Sequence, residues 1–133
     1  MTLERRVFID HLTLVVADFE RSLAFYEAAL EPLGVNVIDL GPAGVSIGPE
    51  DAEDLGLRRA DDAAGQPQSG PAHVAFLAAN REQVDQFHAA ALAAGGTDNG
   101  APGLRPQYHA GYYGAYVLDP DGNNVEAVFH DAG

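Results

Sequence analysis

The chain repeats itself, and this duplication constrains its fold more than any other feature. At an offset of 62 residues the two halves share identical residues, the informative pairs being His11 and His73, Glu20 and Glu82, Phe25 and Phe87, Leu30 and Leu92, and Gly34 and Gly96. Matches of several residue types in one register indicate an internal duplication. The sequence therefore predicts two copies of one supersecondary unit.

Each copy has the pattern of a strand followed by a helix. In the first copy, the apolar, β-branched run 7–16 predicts a buried strand, and Asp18 is a suitable N-cap for the helix that follows. In the second copy, the strand begins at His73. Asn80 caps the next helix, with Gln83 at the capping-box position.

Short strand-like segments follow both helices, at 35–40, 44–48 and 54–59 in the first half and at 97–105, 112–118 and 124–130 in the second. The last two are joined by Asp119-Pro-Asp-Gly122, a strong turn sequence. The predicted fold class is α+β, with two βαβββ modules forming curved mixed sheets around a cavity. The modules span about 1–60 and 72–133 of a single domain, 1–133, and the Gly/Pro-rich segment 60–72 is predicted to be a flexible linker.

Length and charge exclude several classes of protein. A chain of 133 residues is long enough for one domain with its own core. The net charge of −13 argues against partners such as nucleic acid or an anionic membrane surface. The absence of cysteine removes thiolate chemistry and disulfides. Asp10 and His11 interrupt the N-terminal apolar run, so we expect no signal peptide and a cytoplasmic protein.

Three residues could together hold a metal ion. His11 and His73 occupy equivalent places in the two modules, and a pseudo-two-fold packing of the modules would bring them close together. Glu126, on the last strand, could join them. Two imidazoles and one carboxylate with open positions suit a catalytic divalent metal. Each residue taken alone is more often structural, and spacing alone does not decide between these readings.

The sequence resembles the vicinal-oxygen-chelate superfamily, which includes glyoxalase I, extradiol dioxygenases, and fosfomycin- and bleomycin-resistance proteins. The resemblance covers essentially the whole chain, through HLTLVVADFERSLAFYEAAL, HVAFLAANREQVDQFHAAALAAGG and YYGAYVLDPDGNNVEAVFH. It implies a glyoxalase/dioxygenase-like fold, a homodimer, and metal ligands at His11, His73 and Glu126.

One ligand of the glyoxalase I pattern is missing. That enzyme has a fourth, carboxylate ligand in the first half, symmetric to Glu126. Aligning the two hairpins places Gly56 there, with Asp54 one register slip away. The three-ligand set resembles the facial triad of dioxygenases, which favours iron or manganese, whereas nickel or zinc would be compatible with glyoxalase chemistry.

Four other residues are candidates for contact with a substrate. His109 could act as a general acid or base, and Tyr116 as a proton donor in the cavity wall. Arg105 could bind a substrate anion, and Tyr112 shares a strand face with Tyr116. The structural alternatives are an ordinary loop histidine, an arginine paired with a surface acid, which the excess of acids favours, and a tyrosine stripe in the core.

Two classes of function follow from these residues. The first is a metal-dependent enzyme, a glyoxalase-like lyase or a dioxygenase, acting on a small substrate that chelates the metal through two vicinal oxygens. The alternative is a non-catalytic protein of the bleomycin-resistance type, whose negative charge would suit a cationic drug or metabolite. A fosfomycin-type transferase would want more cationic residues than Arg58, Arg59 and Arg105 supply.

Overall fold

The computed structural model describes residues 8–132. Its elements are, in order, β1 (Leu12–Val16), α1 (Phe19–Leu30), β2 (Val35–Asp39), β3 (Val45–Pro49), β4 (Leu55–Arg59), β5 (His73–Leu77), α2 (Arg81–Ala93), β6 (Thr97–Leu104), β7 (Tyr112–Leu118) and β8 (Asn124–His130). Both halves therefore fold as βαβββ, and the predicted α+β class is confirmed. No helix among the described residues is long and apolar enough to span a membrane.

The first strand is shorter than predicted. Position 7, where the predicted strand starts, lies outside the described residues, and residues 8–11 are not in a strand. β1 begins at Leu12, opposite Leu55, the first residue of β4. Among the described residues, no strand lies beside the apolar residues upstream of Leu12, so hydrophobicity alone overestimated the length of the strand.

Each module forms one four-stranded mixed sheet. The strand orders are β1-β4-β3-β2 and β5-β8-β7-β6, and the first pair in each sheet is parallel. Thr13 lies opposite Gly56, and the equivalent Ala75 lies opposite Glu126. Gly56 therefore occupies the position in the first sheet that Glu126 occupies in the second, as the alignment of the hairpins predicts.

The predicted caps start both helices. The Asp18 side chain accepts the backbone N–H of Arg21, and the Asn80 side chain accepts that of Gln83. The Gln83 side chain in turn accepts the N–H of Ala79, one residue before the cap, so the arrangement is a variant of the capping box. These local bonds fix where the two helices begin and which face each turns toward its sheet.

The modules meet through their helices, since α1 packs against α2 as well as against its own sheet. Phe25 and Phe87, one of the repeated pairs, are both fully buried. A Cβ atom on Gly96 would lie 2.8 Å from the ring of Phe25 and 2.5 Å from Val117, so only glycine permits this close approach. The duplication therefore supplies a shared core as well as two sheets.

The connecting segment is fastened at several points. The hydroxyl of Ser69 accepts the N–H of Val15, and the backbone N–H of Ser69 donates to the carbonyl of Val15. The N–H of Ala72 donates to the side chain of Asn123 at 2.8 Å. The composition of 60–72 predicts a flexible linker, but these bonds hold its C-terminal part along β1 and against the β7–β8 turn.

Candidate functional site

A buried carboxylate lies at the centre of the candidate site. Glu126 is on β8, on the face of the second sheet that points away from α2, and is only 2% exposed. Its Oε1 lies 2.6 Å from Nε2 of His73, and its Oε2 accepts the hydroxyl of Tyr112 at 2.6 Å. A charge this buried is normally paired, and an imidazole and a phenol are its partners here.

Two tyrosines stand beside this pair. Tyr116 lies directly opposite Glu126 in the β7–β8 ladder, and its ring centroid is 6.3 Å from that of His73. Burial, followed by the hydrogen bond to Glu126, raises the pKa of Tyr112 well above its usual range. Burial and the negative charge of Glu126 also raise the pKa of Tyr116. Both side chains are neutral phenols near pH 7, so each hydroxyl can donate a hydrogen bond.

His11 lies elsewhere, in a cavity of about 320 Å³ on the first sheet. Its side chain is 63% exposed, and its Nδ1 is 2.8 Å from a carboxylate oxygen of Asp10. Other residues that line this cavity are Thr13, Ser46, Glu53, Gly56 and Arg58. Within residues 8–132, no three His, Asp or Glu side chains gather closely enough to hold a metal ion.

The structure therefore brings together two of the three predicted ligands. His73 and Glu126 meet because β5 and β8 are neighbours, whereas His11 precedes β1 in the other sheet. Sequence reasoning missed Asp10 and Glu53, the two carboxylates in the cavity of His11. Both precede a strand, where the alternation of side chains that located the other candidates does not apply.

His109 is one of a pair of histidines. Its Nε2 lies 2.9 Å from Nδ1 of His130, and the two rings stack 5.1 Å apart. The edge of Tyr112 faces both rings, but no hydrogen bond joins His109 to Glu126 or His73 among the described residues. The sequence assigned no role to His130, and its pairing with His109 depends on the register Tyr112–His130.

Arg105 is also a neighbour of Tyr116. Its guanidinium lies 5.2 Å from the centroid of the Tyr116 ring and donates to the backbone carbonyls of Ala101 and Leu104. The interpretation that this arginine pairs with a surface acid is wrong, because no carboxylate is bonded to it in the described part of the chain. Backbone carbonyls of β6 accept its hydrogen bonds instead.

These features define a class of protein: a duplicated βαβββ domain in which a buried carboxylate pairs with an exposed histidine, with two phenols beside them, on the sheet face that points away from α2. Residues 8–127 match the Glyoxalase/Bleomycin resistance protein/Dioxygenase superfamily. The chain belongs to this superfamily.

Solved structures agree with this assignment. The chain is 32% identical to a glyoxalase/bleomycin resistance protein from Albidiferax ferrireducens T118, with a TM-score of 0.77 and coverage of 92% of this chain and 98% of that one. A glyoxalase/bleomycin resistance protein/dioxygenase family enzyme from Burkholderia phytofirmans PsJN has the same fold at 21% identity and a TM-score of 0.72, covering 94% and 100%. No curated protein matches the chain.

Proposed function

We propose that this protein is a metal-dependent enzyme of the glyoxalase/dioxygenase type that acts on a small substrate with two vicinal oxygens. The observation that carries the proposal is the side chain of Glu126, which is 2% exposed and lies on the sheet face that points away from α2. Its neighbour His73 is 54% exposed in its side chain. A buried anion next to an accessible imidazole suits the binding of a cation.

His73 and Glu126 would hold the metal, and His11 would complete the set. Imidazole nitrogen and anionic oxygen donors suit Fe(II) or Mn(II), and also Ni(II) or Zn(II). The bound ion would act as a Lewis acid on the two chelating oxygens of the substrate. Tyr116 would donate a proton beside these oxygens. Tyr112 would orient Glu126 and, together with Arg105, contact the substrate. His109 would exchange protons at the margin of the site.

A second copy of the chain is the source of His11 in this proposal. His11 is separated from His73 and Glu126 within one chain, and β5, which carries His73, is an edge strand paired only with β8. Leu77 at the end of β5 is 73% exposed. A two-fold homodimer would cover this edge and set His11 of one copy beside the His–Glu pair of the other.

The test is a metal titration of the untagged, metal-free protein under anaerobic conditions, followed by calorimetry with Mn(II) and Fe(II). We expect one ion per chain, and a loss of affinity of about 100-fold or more in Glu126→Gln. Glu82→Gln, which changes an exposed glutamate of α2, is the matched control and retains the affinity. A wild-type protein that binds neither these ions nor Ni(II) or Zn(II) would contradict the proposal.

Mixed dimers of two variants test whether His11 completes the site of its own chain or that of the other copy. His11→Gln and Glu126→Gln each remove one ligand, so neither homodimer keeps a complete site. If His11 acts across the dimer, random co-assembly restores roughly a quarter of the sites, because one of the two sites in each mixed dimer is intact. If all the ligands come from one chain, the mixture binds no more metal than the separate variants.

The second candidate is a binding protein for a cationic compound, favoured by the net charge of −13. It predicts that a cationic glycopeptide binds to the metal-free protein with an affinity that falls steeply with salt, and that Glu126→Gln has little effect. Metal binding at one ion per chain would favour the enzyme.

A further inference from the structure

Among the described residues, Arg105 has no acidic partner, although the chain is very acidic. The sequence has 20 acidic residues and 7 basic ones. Two other arginines are paired in the structure: Arg59 with Glu20 at 2.8 Å and Arg81 with Asp131 at 3.0 Å. In such a chain an arginine is easily neutralised by a neighbouring carboxylate, yet Arg105 bonds only to backbone carbonyls among the described residues.

The local backbone is shaped around this guanidinium. The register between β6 and β7 shifts twice, between Asp98 and Gly100 and between Gly100 and Gly103. The nearby carbonyl of Ala101 accepts one guanidinium N–H at 2.7 Å. A Cβ atom on Gly103 would lie 3.1 Å from the guanidinium, and one on Gly100 would lie 3.4 Å from it. Bulges and glycines thus make room for the group and fix its position.

The guanidinium of Arg105 lies near the site of His73 and Glu126. The guanidinium carbon of Arg105 lies 5.2 Å from the centroid of the Tyr116 ring. The centroid of the His73 ring lies 6.3 Å from the same point. Tyr116 is therefore the side chain that both groups neighbour. Guanidinium has five N–H groups, and the carbonyls of Ala101 and Leu104 accept only two of them. The other three remain for a ligand.

We propose that Arg105 binds a carboxylate of the substrate, so that the substrate is a small organic acid with its two vicinal oxygens at the other end. The position of the vicinal oxygens rests on the proposed function, whereas the carboxylate subsite rests on Arg105 itself. The planar guanidinium matches a carboxylate in geometry. A singly charged group also suffers less repulsion than a phosphate dianion from a protein with a net charge of −13.

The test compares two ligands that differ only in the carboxylate. Catechol and 3,4-dihydroxybenzoate are titrated into the Mn(II)-loaded protein without oxygen. We expect the acid to bind about 10- to 100-fold more tightly, and this preference to fall to near one in Arg105→Gln because the acid loses affinity. Arg21→Gln, which removes a charge from an exposed arginine of α1, keeps the preference. Equal binding of the two ligands by the wild type, or a preference that survives in Arg105→Gln, overturns the proposal.

Benzoate, benzamide and phenyl phosphate, titrated into the metal-free protein, separate this proposal from that of the metal site. A preference for benzoate over benzamide that requires Arg105 supports the carboxylate subsite even if no metal binds and the proposed enzyme is wrong. No preference for benzoate contradicts the subsite, whatever the metal titration shows. Phenyl phosphate binding ten times more tightly than benzoate would replace the carboxylate with a phosphoryl group and overturn the assignment.

Discussion

An ionised carboxylate as buried as that of Glu126 loses most of its hydration, which costs several kcal/mol unless other groups replace the lost water. His73 and Tyr112 provide that replacement, one on each carboxylate oxygen. The carboxylate is thereby held in one orientation on the open face of the sheet. Preorganisation of this kind is what a metal ligand requires, because a ligand that is already oriented loses little freedom on binding.

Tyr112→Phe removes one of the two partners of Glu126. We expect the metal-free variant to be less stable than the wild type by about 1–3 kcal/mol, because Oε2 then lacks a hydrogen bond in a buried place. Urea unfolding at pH 7 measures the change. Tyr108→Phe is the control, since the Tyr108 hydroxyl bonds to none of the described residues and should change the stability little. Equal losses in both variants would argue against a role for the bond.

At the scale of elements, the β7–β8 turn joins the two modules. The carboxylate of Asp119 is buried and accepts the backbone N–H groups of Asp121 and Asn123, the side-chain amide of Asn123 and the hydroxyl of Tyr26. Tyr26 belongs to α1, in the other module. The turn sequence that predicts the hairpin therefore also fixes the first helix against the second sheet.

Asp119→Ala tests this role. The variant leaves several buried donors without an acceptor, so we expect a loss of about 3 kcal/mol or more in the free energy of unfolding. Asp51→Ala, in the exposed turn between β3 and β4, should change it by less than about 0.5 kcal/mol. Urea unfolding measured by circular dichroism compares the two. A loss below 1 kcal/mol in Asp119→Ala would show that the network contributes little.

The same network makes stability depend on alkaline pH. Burial, and then the charge of Asp119, raises the pKa of Tyr26 above its usual range. The folded state therefore keeps the proton that the unfolded chain releases near pH 10. The stability linked to this proton is complete below about pH 10 and is lost progressively as the pH rises further. We expect urea unfolding between pH 9 and 11 to show a weaker pH dependence in Tyr26→Phe than in the wild type.

At the scale of the whole molecule, the edge strand β5 and its apolar end suggest where copies meet. Leu77→Glu places a charge on this edge, and we expect it to shift the sedimentation coefficient from that of a dimer to that of a monomer and to weaken metal binding. Leu104→Glu is the control, since Leu104 is exposed at 47% on β6, at the opposite edge of the same sheet. A wild-type monomer, or dissociation by both variants, would contradict the proposed interface.

Local sequence patterns were enough to predict the duplicated βαβββ plan, the starts of both helices and the β7–β8 hairpin. These features depend on residues close together in the chain, namely the caps Asp18 and Asn80 and the turn at 119–122. They can therefore be predicted from the sequence. The equivalence of Gly56 and Glu126 also followed from aligning the hairpins of the two modules. This prediction required only that the strands pair in the same register in both modules.

Which of the candidate residues meet depends on how the strands are ordered and paired in the folded chain. His73 reaches Glu126 because β5 pairs with β8, while His11, its counterpart in the repeat, lies on the other sheet. Arg105 binds backbone rather than an acid because two register shifts in β6 bring the carbonyl of Ala101 to it. Contacts of this kind join residues far apart in the chain, and they depend on sheet order and register, which no local pattern of side chains encodes.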